Sequence, residues 1–134
     1  MRLYQITGDD FYLDQAEDIF SAVKKYLDNY PPGYSFHVMN LNRYYDKHAP
    51  TIVVALSEDN SFERELKENI YGNFIPHKAL IWGRKNDKDL FRLIPYIKDM
   101  TPVDDKTTLY ICYEGVCTKP LNELPEMIEA IHKL

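Results

Sequence analysis

The chemistry-bearing residues of this chain cluster in one short stretch, LYICYEGVCTKP, which holds both of its cysteines, Cys112 and Cys117. Thiols at such a C-x4-C spacing can bond to each other, ligate a soft metal, or pack as small apolar side chains. If Glu114-Gly115 forms a two-residue hairpin turn, Tyr113 faces Val116 as a hydrogen-bonded pair. Cys112 then faces Cys117 at the next, non-hydrogen-bonded position, where Cα atoms lie roughly 4.5 Å apart. That separation is near the short end of what a disulfide spans. Glu disfavours the positive φ of a primed turn, and a slipped register would part the thiols. No second cysteine pair and no histidine accompanies them, so a zinc ligand set is incomplete. No helix N-terminus follows Cys112 to lower its pKa. The residues leave two readings open: a pair of structural thiols, and a redox-responsive pair, Cys112 and Cys117.

Other chemistry is sparse. His37, His48, His77 and His132 show no i, i+4 pairing and read as surface or boundary residues. The loop after the first predicted strand, SEDNS, lacks the glycines that let a backbone approach a pyrophosphate, and its Glu58 and Asp59 repel phosphate. WGRKNDK offers Arg84 and Lys85 to a small anion, a weaker reading in which the sheet binds an anion or nucleotide. The acidic residues of SEDN, NDKD and VDDK fit caps and turns, where short side chains bond the local backbone. No residue is nominated as catalytic, and no cofactor or metal is expected.

The elements that would position these residues follow from hydrophobic spacing. RLYQITG reads as the last turn of a helix. The next helix, capped at Thr7 or Asp9, carries Leu13, Ala16, Ile19, Phe20, Val23, Tyr26, Leu27 and Tyr30 at spacings of three and four. Pro31, Pro32 and Gly33 stop it. YSFHVMNLNRYY reads as a second helix, antiparallel to the first. From Thr51 the pattern changes. TIVVALS is a β-branched apolar run suited to a strand covered on both faces. A helix follows with Asp59 or Asn60 as cap and Phe62, Leu66 and Ile70 as its core face. HKALIWG is the second strand. NDKDLFRLIPYIKDM is a helix capped at Asn86, which Pro95 kinks or ends. TTLYICY and VCTKP are the third and fourth strands. A last helix is capped by Asn122, with Pro125 in its first turn.

The order of these pieces resembles the C-terminal tail of the YyaL-like family, the thioredoxin-domain-containing relatives of spermatogenesis-associated protein. The matching features are the apolar strand, FIPHK, LIPYI with Pro95, TTLYIC, the cysteines at 112 and 117, and the P-x-x-E-L run (Pro120 to Leu124) before the last helix. Upstream, LYQITGDDFYLDQAEDIF resembles a late hairpin of an α/α toroid similar to N-acylglucosamine 2-epimerase. The resemblance implies a fragment that lacks the family's thioredoxin-like domain and most of the toroid. It implies no enzymatic activity for these residues. FHVMN, at 36–40, has no cysteine beside it and reads as coincidence with that domain's signature.

The expected fold is α/β. It comprises a small three-layer α/β/α sandwich with a mostly parallel sheet and an antiparallel edge hairpin, preceded by an N-terminal helical hairpin. Residues 1–47 form the hairpin and 48–134 the α/β domain. At 134 residues, 45% hydrophobic and 28% charged, the chain has an ordinary globular profile. A net charge of −5 excludes broad phosphate-backbone binding. No run reaches the ~20 apolar residues of a membrane span, and a cytoplasmic location is expected. The expected role is a structural or interaction module that self-associates or packs on missing toroid helices.

Overall fold

A computed structural model describes residues 1–59 and 62–134. The N-terminal third is helical. The short α1 (Arg2–Thr7) ends at Gly8, whose left-handed backbone (φ 69°) turns its N–H onto the Tyr4 carbonyl. Asp9 then caps α2 (Asp10–Asn29), its carboxylate accepting from Phe11 N–H at 3.0 Å. Pro31–Tyr34 forms a 3₁₀ turn and α3 (Ser35–Tyr45) follows. The two long helices run antiparallel: Tyr44 meets Phe20 edge-on at 5.9 Å, while Tyr34 stacks on Tyr26 at 5.8 Å.

The remainder is a four-stranded mixed sheet interleaved with helices, in the order β2-β1-β3-β4. The strands are β1 (Thr51–Leu56), β2 (Ala79–Arg84), β3 (Thr108–Tyr113) and β4 (Val116–Cys117). All six residues of β1 are buried, as its unbroken apolar run requires. Ile52, Val54, Leu109 and Ile111 point to one face, where they pack with Leu66 and Ile70 of α4 (Glu63–Gly72) and Met127 and Ile131 of α6 (Leu124–His132). Val53, Ala55, Ile81, Tyr110 and Cys112 point to the other, beneath Ile94, Ile97 and Ile6 of α1. Alternation along β1 and β3 thus divides one sheet between two cores.

The sheet is less parallel than expected. Only β1 and β2 run parallel; β3 runs antiparallel to β1, with Ala55 opposite Thr108 and Thr51 opposite Cys112. The expected crossover helix between β2 and β3 is broken in two and does not return the chain along the sheet. α5 (Lys88–Leu93) stops at Ile94, whose backbone (φ −133°, ψ 75°) has left the helical region before Pro95, and a separate 3₁₀ turn spans Pro95–Asp99. β3 therefore enters at the end where β1 and β2 finish. Two caps also shift. Asp87, rather than Asn86, caps α5 by accepting from Leu90 N–H, and Asn86 takes a positive φ of 69°. Asn122 stands before the Glu123 cap of α6 and donates to the Val103 carbonyl. For α4 the cap position is Phe62; Asn60 lies outside the described residues.

Candidate functional site

The cysteine hairpin forms in the register that its turn requires. Glu114 (φ 48°) and Gly115 (φ 81°) both take positive φ, Tyr113 pairs with Val116, and Cys112 pairs with Cys117. The two sulfurs, left open by the sequence between structural thiols and a redox-responsive pair, are bonded to each other, with Cα atoms 3.9 Å apart. Opposed residues at a non-hydrogen-bonded site project from the same face, which brings the sulfurs together. Thr118 N–H donates to the Ile111 carbonyl at 2.8 Å, and Leu109 and Leu121 exchange bonds of 2.7 and 3.0 Å. The returning segment is thus held by backbone bonds of its own.

Cys112 and Cys117 line a cleft of about 800 Å³ between the sheet and the N-terminal helices. α1 forms one wall through Tyr4, Gln5 and Thr7; the end of α3 forms another through Arg43, Tyr44 and Asp46; Pro95 and Tyr96 close a third side. Hydrogen bonds between distant residues fix these walls. Gln5 donates to the Pro50 carbonyl at 3.1 Å and accepts from the Arg43 guanidinium. Tyr96 donates its hydroxyl to the Ile6 carbonyl at 3.0 Å, and burial pushes its phenol pKa up. Burial, and next the nearby Arg2, draw the Arg43 guanidinium below its ordinary value, while Asp46 acts in the opposite sense. The Arg43 Nε is buried and has no hydrogen-bond partner among the described residues.

Asp46 also joins a pair that sequence reading missed. Its Oδ2 lies 2.8 Å from His77 Nδ1, and its Oδ1 accepts from His48 N–H. The His77 hydrogen bond, above all, holds the Asp46 carboxyl below the usual range. His77 reaches it from a left-handed backbone (φ 53°) just before β2. The partners are 31 positions apart, and no local spacing announces them. Of the other histidines, His132 meets Asn69 at 3.0 Å and His37 lies against Tyr34. Arg84 and Lys85 border a cavity of only about 10 Å³, and Lys85 lies 3.9 Å from Asp105. Among the described residues, no group of three or more His, Cys, Asp or Glu could hold a metal, and no helix is long and apolar enough to cross a membrane.

The outer surface of the helical hairpin is the second notable feature. From residues 1–47 only Ala16 joins the buried hydrophobic core. Phe11, Ile19, Tyr26, Tyr30, Phe36, Met39 and Tyr45 are exposed by more than half. α3 carries one charged residue, Arg43, in eleven positions.

Compared with known proteins, the chain is 22% identical over 134 residues to spermatogenesis-associated protein 20 of Rattus norvegicus. It is 21% identical to the proteins of that name from Mus musculus and Homo sapiens. Each alignment covers nearly all of this chain, 98–99%, and the chain spans 17% of the length of these relatives. The similarity is therefore distant and confined to one segment of much longer proteins. No family model matches the chain, and no solved structure does.

Proposed function

We propose that this chain is a non-catalytic interaction module whose outward α2–α3 face is covered by other helices. The observation that carries this reading is the apolar surface of α3. Phe36, Met39 and Tyr45 are 71, 65 and 74% exposed on a helix with a single charge. Large exposed apolar side chains gathered on one helix of low charge invite a covering partner. In a longer protein of the YyaL-like kind, the covering helices would belong to an α/α toroid, with the present sheet as the tail packed beside it. The isolated chain has only another copy of itself to supply them, so it self-associates. Light scattering across a wide concentration range tests this. The expected result is a mass that rises with concentration, and Phe36→Glu with Met39→Glu restores the monomer. A wild-type chain that stays monomeric throughout refutes the reading.

The bonded Cys112–Cys117 pair supports a second reading, a thiol-redox or redox-sensing role. A pair of this kind cycles between dithiol and disulfide near the poise of its compartment. Alkylation followed by mass measurement in a series of thiol buffers reads that equilibrium. A pair that stays wholly in one state across the series refutes it.

A further inference from the structure

Resting on the thiol-redox reading, we propose that the cleft beside the cysteine hairpin is the docking site for a small zwitterionic peptide thiol, and that Cys117 is the sulfur it attacks. Three features of the site carry this. First, the two sulfurs are unequally reachable: Cys112 is 3% exposed, whereas Cys117 is half-buried. Both border the same cleft, whose volume of about 800 Å³ accommodates a short peptide. Second, the cleft presents both signs of charge. Lys47 and Arg92, the latter also 3.5 Å from Asp89, can meet carboxylates, and Glu114 can meet an ammonium group, while Arg43 and Asp9 are engaged by Gln5 and the Phe11 N–H. A neutral thiol gains nothing from either set. Third, the backbone bonds from Thr118 to Ile111 and between Leu109 and Leu121 hold the hairpin without the sulfurs. Opening the bridge thus leaves the two thiols adjacent and able to close again.

The exchange balances with the thiol as the only co-reactant. Its thiolate attacks Cys117 Sγ, the bond between the cysteines breaks, and Cys112 departs as a thiolate and takes up a proton. The product is a mixed disulfide on Cys117. A second thiol releases it, so two thiols are oxidised to one disulfide while the pair is reduced to two thiols.

Reduced and oxidised glutathione serve as the zwitterionic probe and 2-mercaptoethanol as the neutral one. Single-cysteine variants, Cys112→Ser and Cys117→Ser, are exposed to the disulfide form of each probe, and adducts are followed by mass. The proposal expects glutathione to load Cys117 in C112S at least tenfold faster than Cys112 in C117S. It also expects glutathione to outpace the neutral probe on Cys117 severalfold, an advantage lost in Lys47→Ala with Arg92→Ala. Equal loading of the two cysteines, or equal rates with both probes, overturns it. If the wild-type pair still cycles in thiol buffers, the redox reading survives that result. If the wild-type pair does not cycle, both fall together.

Discussion

Reducing the Cys112–Cys117 bond should weaken the fold by a modest, calculable amount. The bond closes a loop of sequence separation 5. The chain-entropy expression for so small a ring gives about 7 cal/mol/K, or about 2 kcal/mol at 25 °C. The native side of the balance changes little, because Thr118 N–H still donates to Ile111 and the Leu109–Leu121 bonds remain. For a chain of this size, 2 kcal/mol corresponds to a fall in Tm of roughly 6 °C. Reduction is a cleaner perturbation than replacing the cysteines. Cys112 is 3% exposed, so truncating it would add a cavity cost. The assay is urea unfolding with and without a strong dithiol reductant, paired with amide exchange at Thr118 and Leu121. The reasoning predicts cooperative unfolding in both states, a shifted midpoint, an unchanged slope, and continued protection of both amides. Loss of cooperativity, or exposure of those amides on reduction, would refute it, because the bond would then be holding the strand rather than decorating it.

Other expected outcomes follow from the same contacts. Leu66→Ala empties a fully buried site between β1 and α6 and should cost about 3 kcal/mol in urea unfolding, whereas Phe74→Ala, at 91% exposed, should cost less than about 0.5 kcal/mol. Asp9→Ala removes the cap of α2 and should cost about 1 kcal/mol, read from the same experiment. Asp46→Asn tests the His77 pair. Because the folded carboxyl titrates below its ordinary value, the wild type's advantage is fully present above the unfolded value of about 3.9 and disappears as pH falls through the lower folded one. The pair is a quarter exposed, so the advantage should be at most about 1 kcal/mol at pH 7, and unfolding curves at pH 7 and pH 2.5 measure it.

What could be read from the sequence was local. The Asp9 cap, the stop at Pro31, the fully buried β1 and the pairing of Cys112 with Cys117 each follow from residues within a few positions of one another. The direction of β3 did not, because it depends on where the chain emerges after Pro95. A pattern of apolar residues looks the same whether a helix continues or doubles back. The walls of the cleft were equally hidden. Gln5 with Arg43 and Asp46 with His77 are joined across 38 and 31 positions, and each residue alone is an unremarkable polar side chain. The cap of α5 shows a finer limit. Asn86 and Asp87 are both good capping residues, and only the positive φ of Asn86 decides between them.

Burial is distributed unevenly, and this bears on how the two parts of the chain work together. β1 alone supplies five buried hydrophobic residues, while residues 1–47 supply one, Ala16. Fixing each backbone residue costs about 1–2 kcal/mol, so a helical pair with so little buried surface depends on what it packs against. On one side that support is the sheet, reached through Gln5, Ile6 and the Tyr96 hydroxyl. On the other side, α2 and α3 present Ile19, Tyr26, Phe36 and Met39 outward. The same α3 that displays Phe36 and Met39 delivers Arg43 and Tyr44 into the cleft beside the cysteines, with Asp46 just past its end. A partner covering the outer face would therefore touch the helix that walls the cleft. The two surfaces share one helix, and any free energy that orders it is felt at both.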